Sequence, residues 1–137
     1  MAYGPAATRD AATERTLSCF EDIPVFDAVE FDALCDMIGE DGALEMVMIF
    51  EAETRQRLRR LMAGHQDIAT QVREMHTLKG AAGTVASPRL AAMGEMLEHA
   101  ADQGIAPGGD DIDAIEAALE DYLRSVRARN EQLAPAL

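Results

Sequence analysis

From about residue 27 onward, apolar side chains recur along this chain at three- and four-residue spacing, the signature of amphipathic helices. No segment alternates apolar and polar positions long enough to predict a strand. A first helix is predicted from Asp27, which can form a capping box with Glu30; Phe31, Leu34, Cys35 and Ile38 make its stripe and Gly39 ends it. Asp41 is placed as the cap of a second, with Ala43, Val47, Phe50, Leu58 and Leu61 inward and a stop near Gly64. A third starts around Gln66 or Asp67 and runs to about Val85, with Ile68, Met75, Leu78, Ala82 and Val85 on one side. Ser87-Pro88, a cap followed by proline at the first helical position, opens a fourth with Leu90, Met93, Leu97 and Ala101 as its stripe and Gly104 as its stop. Beyond the breaker "GIAPGGD", a last helix is predicted from about residue 111 to 130, turning Ile112, Ile115, Leu119, Tyr122 and Val126 inward.

Long amphipathic helices joined by short connections make antiparallel neighbours. The predicted fold class is therefore all-α: an antiparallel up-and-down four-helix bundle with an additional short N-terminal helical segment near residues 17–20. Residues 1–24, with Gly4, Pro5 and Pro24 and little periodicity, are read as a mobile tail, and residues 25–131 as the bundle. Composition changes this picture little. With 137 residues the chain is one domain, and its 48% hydrophobic and 27% charged content is that of a soluble globular protein. A formal charge of −13 repels nucleic acid and anionic lipid surfaces, which excludes both as partners. No apolar run reaches the length of a membrane span, and the N-terminus has no basic region followed by an apolar stretch, so a cytoplasmic location is expected. Cys19 and Cys35 have no metal or redox spacing, and Cys35 is expected as a reduced core thiol.

The stretch "HTLKGAAG", residues 76–83, departs from this regularity. It puts two glycines inside the third helix, each costing about 1 kcal/mol relative to alanine. It also holds Lys79, the only lysine beside eleven arginines. On a wheel of about 100° per residue, His76 lies some ~130° from the centre of the apolar stripe, facing solvent or the shoulder of the bundle. Its neighbours on that face are Ala69, Val72, Arg73, Lys79, Gly80 and Gly83, a candidate partner-binding surface. The glycines clear room beside the ring, and Arg73 and Lys79 bracket it with positive charge. Imidazole titrates near physiological pH, so much of it is neutral and nucleophilic, and nearby cations favour that form. Such a ring, with a lysine one turn on to meet an incoming anion, can receive a phosphoryl group.

These residues resemble the histidine-containing phosphotransfer (HPt) domain of multistep phosphorelays. The family signature His-x-Leu-Lys-Gly followed by small residues stands here as His76, Thr77, Leu78, Lys79, Gly80, Ala81 and Ala82. "RLAAMGEMLEHAA" is similar to the family's following helix, including Leu90, Leu97 and Glu98, and "GALEMVMIFEAETRQRLRRL" to its preceding one, with Phe50 at the usual aromatic position. The resemblance covers about residues 25–104. It implies a four-helix bundle with the phospho-accepting histidine exposed on the second long helix. By that resemblance His76 is the acceptor, Lys79 stabilises the phosphoryl group and Gly80 gives clearance. It also implies a carrier rather than an enzyme, without ATP or a cofactor of its own, accepting phosphate from one response-regulator receiver domain, that of a hybrid histidine kinase among the candidates, and passing it to another. The receiver would supply Mg²⁺. One departure concerns the turn after the histidine helix, where the family usually has glycine and this chain has Ala86 followed by Ser87.

The chain has no GxxxxGK[ST] phosphate loop. An aspartate-lined receiver pocket would favour a locally basic partner, and "RQRLRR", residues 55–60, is read either as such a patch or as a solvated helix face. Three rival functions stay beside the carrier, together with the related reading of a histidine kinase's own phospho-accepting domain. An enzyme using His76 as general base would need an orienting carboxylate, and Glu74, about 160° away on the wheel, cannot be it. A metal-binding bundle would need ligands converging from several helices, yet His65, His76 and His99 lie on different elements and only Glu95 and His99 share a face. A helical interaction module that no longer carries phosphate is the third. A complete bundle core argues for a monomer.

Overall fold

The computed structural model describes residues 20–133; five helices are complete within them, and no strand occurs among these residues. We number them α1 (Ala28–Ile38), α2 (Glu40–Ala63), α3 (Ile68–Thr84), α4 (Pro88–Asp102) and α5 (Gly109–Leu133). α2 packs on α3, α3 on α4, α4 on α5, and α5 closes back on α2, while α1 lies along α2. Chain neighbours are thus space neighbours around a ring, which is the predicted antiparallel four-helix bundle.

Local signals set most boundaries. Asp27 accepts the Glu30 N–H at 3.1 Å and Asp67 the Thr70 N–H at 2.8 Å, capping α1 and α3. Ser87 caps α4 with Pro88 in its first turn, and Gly64 ends α2 in the left-handed region at φ 75°. Asp41 does not cap α2. Gly39, at φ 88°, serves as the last cap of α1 and the first of α2, and Asp41 sits with Glu40 in the first turn, where acidic groups suit the helix dipole. A single residue in that conformation turns the chain, leaving no room for a longer linker. α5 begins two residues earlier than predicted and runs on to Leu133.

The predicted stripes meet in one core. Phe31, Val47, Phe50, Leu58, Met75, Leu78, Leu90, Leu97, Ile115 and Leu119 are buried, together with Tyr122, whose hydroxyl donates to the Val85 carbonyl at 2.7 Å. Ile68 is the exception on α3: as the first helical residue it lies beyond the end of the stripe and is 52% exposed. Ile38, at the end of α1, is 42% exposed. Cys35 is buried and reduced; Cys19 and residues 17–19 of the predicted N-terminal segment lie outside the described residues.

Residues 20–24, placed at the end of the expected tail, pack on the bundle. Phe20 is buried, and Arg89 at the start of α4 donates its Nε to the Ile23 carbonyl at 2.8 Å and its backbone N–H to the Pro24 carbonyl at 3.1 Å. Ser87 Oγ donates to the Val25 carbonyl at 2.7 Å and Asp27 N–H to the Ala86 carbonyl at 2.9 Å. Residues 20–27 are therefore strapped across the α3–α4 turn. Among the described residues no helix is long and apolar enough to cross a membrane.

Candidate functional site

Because Met75, Leu78 and Ala82 are turned fully into the core, the α3 helix must present the intervening His76 outward, and its side chain is 66% exposed. The imidazole is not isolated there. Glu98, from α4, places Oε2 2.9 Å from His76 Nδ1 and Oε1 3.0 Å from Lys79 Nζ. One carboxylate thus bridges the histidine and the lysine. The Lys79 hydrogen bond, against the opposing effect of burial and with help from the His76 hydrogen bond, holds the Glu98 carboxyl below its ordinary range. An ionised carboxylate only accepts, so the ring nitrogen facing it carries the hydrogen and Nδ1–H is the donor. In the neutral ring this leaves the lone pair on Nε2, which has no protein partner among the described residues.

The two helix-interior glycines lie on the same outward face. A Cβ added to Gly80 or Gly83 would meet nothing within 4 Å, so no packing among the described residues requires glycine at either position. Thr84 Oγ1 donates to the Gly80 carbonyl at 3.0 Å. Ala69 is exposed, and Val72 is half-buried in an open groove between α3 and α4 that Phe20, Lys79, Met96 and Glu98 also line. Arg73 is exposed but its guanidinium turns to Thr70 Oγ1 at 3.2 Å. Both cations expected to bracket the ring have partners: Arg73 faces Thr70, and Lys79 is engaged by Glu98.

Most of the basic run is paired with carboxylates within the molecule. Arg55 binds Glu51 and Glu120, while Arg57 and Arg60 both bind Glu74, and only Arg59 lacks an ionic partner among the described residues. Glu74, which the wheel turns away from His76, is buried and also accepts from Gln66 at 2.9 Å. Arg60's hydrogen bond, helped by Gln66 and the charges of both arginines, brings its carboxyl down to about 2 despite the cost of burial. No group of three or more His, Cys, Asp or Glu that could hold a metal ion occurs among the described residues.

The turn that joins α3 to α4 keeps the geometry a glycine would favour. Ala86 sits at φ 67°, buried, with its N–H on the Gly83 carbonyl at 3.2 Å and its carbonyl taken by Asp27. In an antiparallel pair turning there, residues about equally far on either side come level. His76 lies ten positions before Ala86 and Glu98 twelve after it, the signal by which the sequence could have paired them. Sequence reasoning also passed over Gly94, whose added Cβ would fall 2.9 Å from the Lys79 nitrogen.

No curated protein and no solved structure matches the chain. A family model does: that of the Hpt domain matches residues 45–132, from within α2 through the whole of α3 and α4 and nearly to the end of α5. The match extends past Gly104, where the resemblance read from the sequence stops. Since it takes in most of the helical ring and both sides of the histidine site, the chain belongs to the Hpt domain family, whose role is phosphotransfer in phosphorelays.

Proposed function

We propose that this protein is a phosphocarrier that takes a phosphoryl group onto His76 Nε2 from the aspartyl phosphate of one receiver domain and delivers it to the aspartate of another. The observation that carries this reading is the polarity of the ring: Nδ1 is held by Glu98 and Nε2 is open, on a face that 66% of the histidine side chain shares with solvent. In the step, Nε2 attacks phosphorus, the N–P bond forms and the P–O bond to the receiver's aspartate breaks, restoring its carboxylate. Attack draws electron density from the ring, and the Glu98 carboxylate against Nδ1–H stabilises the positive charge that develops. Lys79, one turn on, turns from Glu98 to the arriving phosphoryl oxygens. Gly80 and Gly83 admit the receiver's surface, with Ala69, Val72 and Arg73 at its margin. The receiver contributes Mg²⁺ and the acidic pocket, and this protein needs neither ATP nor a cofactor. It acts in the cytoplasm as a monomer, with receivers of hybrid histidine kinases among its donors.

Incubation with phosphorylated receivers from the same genome tests the reading. The expected product is an acid-labile, base-stable label on His76 that appears within the mixing time of cognate pairs. His76→Gln, folded by circular dichroism, should take up none. Label persisting on that variant would assign the acceptor elsewhere, and tight receiver binding without label on the native chain would mark an interaction module instead.

A further inference from the structure

Ten glycines occur in the chain, and Gly94, in the interior of α4, is the described one against which the protein itself closes most tightly. A Cβ built there would lie 2.9 Å from Lys79 N, 3.1 Å from Lys79 Cα and 3.1 Å from the Met75 carbonyl oxygen. These are all backbone atoms, so no side chain can rotate away to make room. Residues 75 and 79 are also the i and i+4 partners of the helical turn that carries His76. The α4 backbone at Gly94 therefore rests directly on the turn that presents the histidine. Glu98 is four residues on, on the same face of α4, and reaches back over that turn to His76 and Lys79.

We infer that Gly94 is a positioning residue for phosphotransfer: its missing side chain lets α4 approach close enough for Glu98 to fix the His76 ring with Nδ1 protonated and Nε2 free. The inference rests on His76 being the acceptor, but its structural part does not need phosphate to be tested. A methyl at residue 94 forces the two backbones apart by several tenths of an ångström. Hydrogen bonds of 2.9 and 3.0 Å then move toward the limit at which they count as bonds, while the apolar layer at Met93 and Leu97 can follow the small displacement. The loss falls on the orientation and tautomer of the ring, not on the identity of any reacting group.

The experiment is ¹⁵N NMR of the imidazole nitrogens in the unphosphorylated full chain, alongside transfer rates from a phosphorylated receiver. Native protein should show the neutral His76 in the Nδ1–H form. Gly94→Ala should show a mixture of tautomers and transfer slower on the order of tenfold, the scale of a sub-ångström misplacement of a reacting group. Glu98→Ala should give the same mixture, and adding Gly94→Ala to it should slow transfer no further, because both act through one contact. A Gly94→Ala chain that keeps the native tautomer overturns the proposal. If that variant does not fold, it is repeated in the Ala86→Gly background; failure to fold there too would make Gly94 purely structural and overturn the proposal as well. Should His76→Gln still accept label, the acceptor reading fails, yet the tautomer comparison retains its own answer.

Discussion

Glu74 and Glu98 each join two helices by accepting hydrogen bonds from basic side chains, and they do it in opposite surroundings. The Glu74 side chain is 11% exposed and takes Arg57 Nε at 3.0 Å, Arg60 Nε at 2.7 Å and Nη2 at 2.9 Å, and Gln66. Every lone pair is used, and the cluster fastens α2 to α3. Glu98 is 23% exposed and makes two bonds, to two residues that both belong to the candidate site. Its partners have an alternative, since an arriving phosphoryl group can take Lys79 and the imidazole can change charge. A saturated buried carboxylate holds the fold, and an unsaturated one at the surface can take part in an exchange.

The largest expected effect follows from removing Glu74. Glu74→Ala leaves Arg57, itself buried, without its carboxylate, and breaking a buried pair from one side costs about 3 kcal/mol or more. Urea denaturation should show this loss while the folded fraction still transfers phosphate at the native rate. A loss below about 1 kcal/mol would put the cluster with ordinary surface ion pairs and erase the contrast. Acid provides the same test without a truncation. The Glu74 carboxyl is lowered from 4.5 to about 2 in the folded chain, so its contribution is complete above about pH 4.5 and is lost as pH falls through 2. At 1.36 kcal/mol per unit this amounts to about 3 kcal/mol, and Glu74→Gln should flatten the stability profile across that window.

Glu98→Ala should reverse the pattern. Stability should change by less than about 1 kcal/mol, as for other solvent-facing pairs, while transfer slows on the order of tenfold. Lys79→Ala should also stay folded and slow, and Lys79→Arg should recover part of the rate because charge is kept in a different shape. A destabilised but fully active Glu98→Ala would mean the two carboxylates do the same structural job.

The contrast also explains what the sequence made legible. Stripes such as Leu90, Met93, Leu97 and Ala101, the Ser87-Pro88 start and the outward direction of His76 depend on local spacing, and all appear in the structure. Glu98 on His76, Gly94 on Lys79 and Glu74 on Arg57 and Arg60 depend on how far one helix slides along the next, which periodicity within a helix does not encode. A wheel could say that Glu74 faces away from His76, but not that two of the four arginines in residues 55–60 wait on the other side. Ile68 misled because it is the first helical residue, where the spacing still fits the stripe but the side chain lies beyond its buried part.

Ala86 sets where α4 begins its return, and so the level at which Glu98 meets His76. A non-glycine residue at φ 67° costs about 1 kcal/mol or more, so Ala86→Gly should stabilise the protein by up to about 1 kcal/mol after the added freedom of the unfolded chain is counted. Transfer should be unchanged, because the bonds of residue 86 are made by its backbone. A thermal melt with a rate measurement checks both. A stabilised chain that transfers more slowly would show that strain at the turn helps seat Glu98.

The smallest effect is expected at Gly80, and it separates the open glycines from the closed one. A Cβ there meets nothing, so Gly80→Ala should raise stability by several tenths of a kcal/mol, whereas the same methyl at residue 94 should lower it. Alanine is small enough to leave receivers room, so its gain in stability should come with little change in rate. Glutamine at residue 80 should keep the fold and project across the approach to His76. Transfer from a receiver should then slow, while labelling by a small donor such as phosphoramidate stays at the native rate, since the ring, Glu98 and Lys79 are untouched. Slowing with both donors would move the cause from docking to the site's chemistry. Equal rates with both would leave the helix-weakening glycine without the partner that explains it.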